Sequence, residues 1–208
     1  MSFRQYRKIE PNEFIVVGGD CSQGGNDENF AHFISKSKLD IPIVYEQHGV
    51  AAQMTSDIFP MLERIFDLTG IMPTVAFERN NGGASEMQRL YDLNRSNKYS
   101  VYQMPALGTT SGSTEKTDKL GWDTNTLTRP IMLQDWKSAF DRGSLLIYDK
   151  ETIAQHKTFI VNKNGKPMGA PGKHDDAVMS LAIGWQLFIR EIYTEVPPIK
   201  NDFSRWAI

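Results

Sequence analysis

The sequence predicts an α/β domain in which helices cover a mixed central β-sheet. Three observations predict it. Short apolar runs stop at glycines or acids, as in Phe14–Asp20 and Thr74–Glu78. Longer stretches carry apolar residues at three- and four-residue steps. The two kinds follow one another in the order β-β-β-α-β-α-β-α…α, the pattern of a sheet layered with helices. A chain of 208 residues, 40% of them hydrophobic, suits one domain with a sizeable core. We read it as a single unit: a lead-in at 1–12, a core at 13–193 and an extended tail at 194–208.

Each element has a local reason. The polar, basic lead-in ends at Pro11, and Phe14-Ile-Val-Val-Gly-Gly-Asp20 is a buried strand. Cys21 to Asn29 is rich in Gly, Asn and Asp and reads as a turn. Strands near 29–35 and 41–47 would complete an antiparallel meander. From Val50 to Leu68 the positions Ala51, Met54, Ile58, Met61, Leu62, Ile65 and Phe66 outline an amphipathic helix, with Pro60 a candidate kink and Gly70 its cap. Thr74-Val-Ala-Phe-Glu78 is another buried strand. Gly82 and Gly83 precede a helix at 84–95, and a short strand fits 101–104. Residues 105–123 are a Gly, Ser and Thr-rich loop, too long for an ordinary connection. Thr124 or Asn125 caps a helix reaching about Phe140. A short strand, a helical turn at 151–157 and a hairpin around 162–166 fill 144–168. From His174 onward Ala177, Val178, Leu181, Ala182, Trp185, Leu187 and Phe188 mark a strong helix.

Composition narrows the function classes. A net charge of −2 and a pI near 6.1 exclude a wholly basic nucleic-acid binder but allow local basic patches. The lone Cys21 can form no internal disulfide, and no Cys/His pattern has zinc-ligand spacing. A reducing, intracellular setting is expected. No run approaches the roughly 20 apolar residues of a membrane helix. Gly18-Gly19, Gly24-Gly25 and Gly172-Lys173 make neither a dinucleotide fingerprint nor a triphosphate loop.

The chemistry points to acids. Asp20 and Glu78 each end a strand, and Asp175 and Asp176 open the last helix. Ligands of open α/β sheets gather beyond the strand carboxyl ends, where two such acids can converge. Clustered carboxylates repel unless a cation neutralises them, and Mg²⁺ is held by few carboxylates plus water and phosphate. Each acid alone has a plainer reading: Asp20 as a turn former, Asp175 and Asp176 as helix-terminal acids. Their joint placement favours a site. Arg79, Lys116, Lys119, Lys163, Lys166 and Lys173, with His174, lie on expected loops and are candidate DNA contacts around it. Asp27 reads as loop solvation, Trp122 and Trp136 as packing, and Cys21 as core on the strand face opposite Asp20.

Val17-Gly-Gly-Asp20 with its Gly-rich turn, Val75-Ala-Phe-Glu78 with Asn80-Asn-Gly-Gly83, and Gly172-Lys-His-Asp-Asp-Ala177 together resemble the nuclease domain of tailed-bacteriophage terminase large subunits, from about residue 13 to 190. The resemblance implies a ribonuclease-H-like fold and an endonuclease that cuts concatemeric viral double-stranded DNA by two-metal hydrolysis with Mg²⁺ or Mn²⁺. Asp20 would bridge two ions, Glu78 and Asp176 would each hold one, and Asp175 would be an additional ligand. Some members have Asp where this chain has Glu78. The loop at 105–123 and the hairpin at 158–168 match variable regions associated with DNA. The resemblance also implies a packaging ATPase domain in the same subunit, absent from this sequence, together with portal and small-subunit partners, no membrane, and work in the host cytoplasm. The chain is expected to be the excised C-terminal half, with an added Met1.

Three rivals stand beside this reading. A Holliday-junction resolvase or transposase-like nuclease would share the fold but prefer branched DNA. An actin-type ATP-binding module wants Gly/Thr-rich phosphate loops after two strands, which fit poorly here. A non-catalytic packaging adaptor would use the acids only as caps and turns.

Overall fold

One sheet with an apolar layer on each face organises the chain. In the computed structural model, residues 2–105 and 116–191 are described, without the side chains of 23, 25–27, 105, 116 and 117. Six strands form the main sheet: β1 (Phe3–Gln5), β2 (Ile15–Asp20), β3 (Gln23–Ser35), β4 (Asp40–Val50), β5 (Thr74–Phe77) and β6 (Ser100–Val101), in the spatial order β1-β4-β3-β2-β5-β6. Strands β2, β3 and β4 form the antiparallel meander, β1 adds an antiparallel edge, and β5 and β6 run parallel to β2. The expected mixed sheet is therefore present.

The two-residue period of the strands divides the core. Ile15, Val17, Val75 and Phe77 pack with Met54, Ile58 and Leu62 of α1 (Ala51–Thr69) and Met87 and Leu90 of α2 (Gly83–Leu93). Val16, Ala76, Phe30 and Ile34 face α3 (Thr128–Asp141) and α5 (Asp176–Arg190). Helix α4 (Lys150–Thr158) packs beside α5. Strand β2 is buried along its whole length, which explains its unbroken apolar and glycine content. Helix α5 lies unusually close to it. A Cβ built on Gly18 would stand 2.1 Å from the Gly184 backbone nitrogen and 2.4 Å from the Ser180 oxygen, so glycine is sterically required there.

Several expectations need correction. The lead-in is not a free linker: β1 pairs with β4, and Phe3 packs its ring on Phe33 and Tyr45. The Gly-rich segment after Cys21 is mostly strand, because β4 offers ladder partners as far as Val50; the register shifts between Gln23 and Glu28, which marks an irregularity. Part of the expected 105–123 loop is strand as well. Strand β8 (Lys116–Leu120) pairs with β7 (Gln103–Pro105), while residues 106–115 lie outside the described residues, as does the tail at 194–208. The short strand anticipated after 144 reduces to a bridge between Leu146 and Asp40. The hairpin at 162–166 is present, joining β9 (Phe159–Val161) to β10 (Pro167–Gly169). Helix α1 runs through Pro60, and Gly70 caps it at φ 73°.

Candidate active site

Parallel pairing brings the first two acids together. Val16, Val17, Gly18 and Gly19 of β2 stand beside Thr74, Val75, Ala76 and Phe77 of β5, so the next pair in register is Asp20 and Glu78. The Glu78 amide donates to the Gly19 carbonyl at 2.8 Å, extending the ladder by one step. By alternation both side chains point to the face covered by α5, as Val16, Gly18 and Ala76 do. Asp176 is the first residue of α5 and Asp175 immediately precedes it. The helix N-terminus, with its partial positive charge, thus points at the strand acids.

These four acids line one cleft of about 580 Å³ with Asn80, Asn81, Arg129 and Met179. Asp20 and Glu78 are buried, at 7% and 6% exposure. Burial pushes the Asp20 carboxyl well above the usual range; the Glu78 charge, a hydrogen bond with Glu78, and the charges of Asp176 and Asp175 push the same way. Asn80 Nδ2 donates to Glu78 Oε1 at 3.1 Å and to the Thr124 carbonyl at 3.2 Å, fixing the glutamate from its solvent side. Asp175 Oδ2 accepts from the Gly169 amide at 3.2 Å, tying the acid pair to β10. His174 Nδ1 lies 3.5 Å from Asp176 Oδ2.

The donor set fits a hard divalent cation. Its carboxylate donors are all oxygen and over-supplied with negative charge; of the nearby sulfurs, Met179 is a thioether, a weak ligand for such an ion, and Cys21 is turned into the other core against Met54. Among the described residues no three His, Cys, Asp or Glu side chains stand grouped so as to hold a metal ion by themselves. A few carboxylates completed by water and phosphate, the usual Mg²⁺ arrangement, need no such group.

The basic candidates divide. Lys166 lines a second cleft that adjoins the first and shares Glu78, Asn80 and Arg129 with it. Arg79 is used internally: its Nη1 donates to the Leu120 carbonyl at 2.6 Å, bracing β8. Lys119 pairs with Asp123 at 2.6 Å. Lys163 and Lys173 are exposed on the hairpin turn and before α5, and neither lines either of these two clefts. Lys116 lies on β8, and its side chain, like that of Asp27, is outside the described set. Arg129 escaped the sequence reading. It sits in the first turn of α3, and nothing local marks it, since only packing of α3 beside α5 brings it to the acids.

An antiparallel meander followed by parallel strands, with acids at two neighbouring strand ends and at the start of the closing helix, defines the ribonuclease-H-like class of α/β folds. The chain has the fold of large-terminase nuclease domains. It resembles the large terminase nuclease of the thermophilic phage G20c with bound cobalt, at TM-score 0.63 and 16% identity over 89% of this chain and 87% of that one. The nuclease domain of Thermus phage P74-26 matches at TM-score 0.60 and 14% identity over 93% and 90%. The P22 large terminase nuclease domain matches at 0.53 and 12% over 88% and 86%. No protein-family model matches the sequence.

Proposed function

We propose that this chain is a metal-dependent DNA endonuclease that cuts concatemeric viral double-stranded DNA during genome packaging. The observation that carries the reading is the in-register placement of Asp20 and Glu78 on neighbouring strand ends, facing the start of α5. Support also comes from solved structures of the same fold, the phage G20c nuclease with bound magnesium and the human cytomegalovirus terminase nuclease domain soaked with manganese.

In this reading Asp20 would be the ligand common to two Mg²⁺ or Mn²⁺ ions, Glu78 and Asp176 would each hold one, and Asp175 would be an additional ligand. Such ions supply Lewis-acid stabilisation of developing charge and make water more acidic. The chain's own residues set the geometry. The strand ladder fixes Asp20 beside Glu78, Asn80 holds the Glu78 carboxylate, and the Gly169 amide holds Asp175. In the hydrolysis a water oxygen would bond to phosphorus as the phosphorus–O3′ bond breaks, leaving a 5′ phosphate and a 3′ oxygen that takes up a proton from the water. The packaging ATPase domain, portal, small terminase subunit and host cytoplasm belong to the same proposal.

Plasmid digestion in parallel with EDTA, Mg²⁺ and Mn²⁺ tests it. Nicks and linear product should appear only with a divalent ion and vanish in Asp20→Asn. Cutting that survives in a clean Asp20→Asn preparation would refute the assignment. A non-catalytic adaptor would instead show no divalent-ion site by calorimetry.

A further inference from the structure

The second cleft, about 560 Å³, opens from the acidic one. Its walls are the Thr124–Thr126 segment with the first turns of α3 on one side and the β9–β10 turn, Asn164 to Pro167, on the other. Where the first cleft is acidic, this one carries Arg129 and Lys166. Two polar atoms on its walls are buried without a hydrogen-bond partner: Arg129 Nε and Thr124 Oγ1. Buried donors left unmade are costly, and each calls for an explanation. Both atoms are enclosed as the side chains stand, and a turn of either side chain toward the cleft would let a ligand rich in acceptor oxygens satisfy it.

Arg129 stands at the threshold and lines both clefts. Its Nη2 lies 3.9 Å from Asp175 Oδ2 and donates to the Pro167 carbonyl at 3.3 Å. Among the described residues lining the acidic cleft it is the one cation. The Asp175 contact is long for a charge-assisted bond, so most of the guanidinium fork remains uncommitted.

We propose that the second cleft is the track along which one DNA strand leaves the acidic cleft, with Arg129 gripping a backbone phosphate at the threshold, the Thr124 hydroxyl donating to a phosphate oxygen and Lys166 supplying charge on the facing wall. The ligand class is a nucleic-acid sugar-phosphate backbone, read without regard to base. The inference rests on the nuclease reading of the acidic cleft and adds the route of the substrate.

The test uses the full chain carrying Asp20→Asn, so that DNA is not consumed. Binding to a fluorescent duplex is measured over a salt series for this parent and for Arg129→Ala, Arg129→Lys, Lys166→Ala and Thr124→Val in its background. Each lost phosphate contact should flatten the log K against log salt slope by about 0.9. Arg129→Ala should weaken binding roughly ten- to hundredfold, the effect of losing a hydrogen bond to a charged group, and equally for unrelated sequences. Arg129→Lys should keep the slope and recover part of the affinity, because the charge stays while the fork is lost. Thr124→Val should weaken binding at an unchanged slope. Lys166→Ala, on an exposed turn, serves if Arg129→Ala fails to fold. Slopes and affinities identical to the parent in Lys166→Ala and in a folded Arg129 variant would overturn the track while leaving cleavage by the unmodified chain intact. If the unmodified chain cuts no DNA under any metal, the nuclease reading itself has failed.

Discussion

Two regions of this molecule bury carboxylates and resolve the electrostatic problem in opposite ways. At the β1 edge the buried acids Glu13, Asp40 and Asp149 each meet an arginine. Arg7 donates to Asp40 at 2.6 Å through Nε and Nη2, and to Glu13 at 2.8 Å through Nη1 and Nη2. Arg4 donates to Asp149 at 2.6 Å, and the Tyr6 hydroxyl donates to the same oxygen. Burial alone would raise the Glu13 and Asp149 carboxyls, but the arginines and neighbouring donors outweigh it. Glu13 is held below its usual range and Asp149 falls to about 2. In the acidic cleft acids meet acids, and burial and repulsion both raise Asp20. The edge network pairs its buried carboxylates with cations from within the chain and is structural. The cleft sets acid against acid with Arg129 as its one cation among the described lining residues, and under the proposed function a metal ion would complete it.

The sharpest way to break this comparison is to neutralise one acid of the cleft. Asp20→Asn should remove all detectable metal-dependent cutting yet leave the thermal midpoint in EDTA unchanged or higher, since a repelling charge has gone. A large drop in the midpoint would make Asp20 a structural residue after all. The reciprocal change at the edge is Arg7→Ala, which leaves Asp40 and Glu13 buried beside no cation. It should cost about 3–5 kcal/mol in urea unfolding, and a cost under about 1 kcal/mol would show the network to be dispensable.

Gly18→Ala couples the two properties. Its methyl would collide with backbone of α5, so stability should fall by about 1–3 kcal/mol and cleavage should fall with it, because Asp176 rides on α5. Full activity in a folded variant would mean that the helix has latitude the close packing denies it. The smallest expected effect is in acid. Asp149 is depressed in the folded chain, so its contribution is present above its ordinary value of 3.8 and is lost as pH falls toward about 2. Asp149→Asn should flatten the acid limb of an unfolding-midpoint series over that window. Asp20→Asn should not reproduce that flattening, because Asp20 is raised rather than lowered in the folded chain.

Much of the site was legible because its acids sit at punctuation marks. Val16-Val17-Gly-Gly-Asp20 and Val75-Ala-Phe-Glu78 announce strand ends by composition, and Asp175-Asp176 before an apolar helix announces a helix start. The face that Cys21 takes followed from the two-residue period alone. Arg129 was silent, since an arginine in the first turn of a helix looks like any solvated cation until α3 is packed. The lead-in was silent for the same reason: Arg4 and Arg7 find partners 145 and 33 residues away.

The order of apolar and polar residues, acting through local periods and turn chemistry, determined which segments are strands and helices and where acids interrupt them. Which of those acids become neighbours was decided by the register of β5 against β2 and by the glycine contact that seats α5, both matters of long-range packing. Periodicity is a property of a few adjacent residues; proximity across the sheet depends on chain segments that meet only once the core has closed.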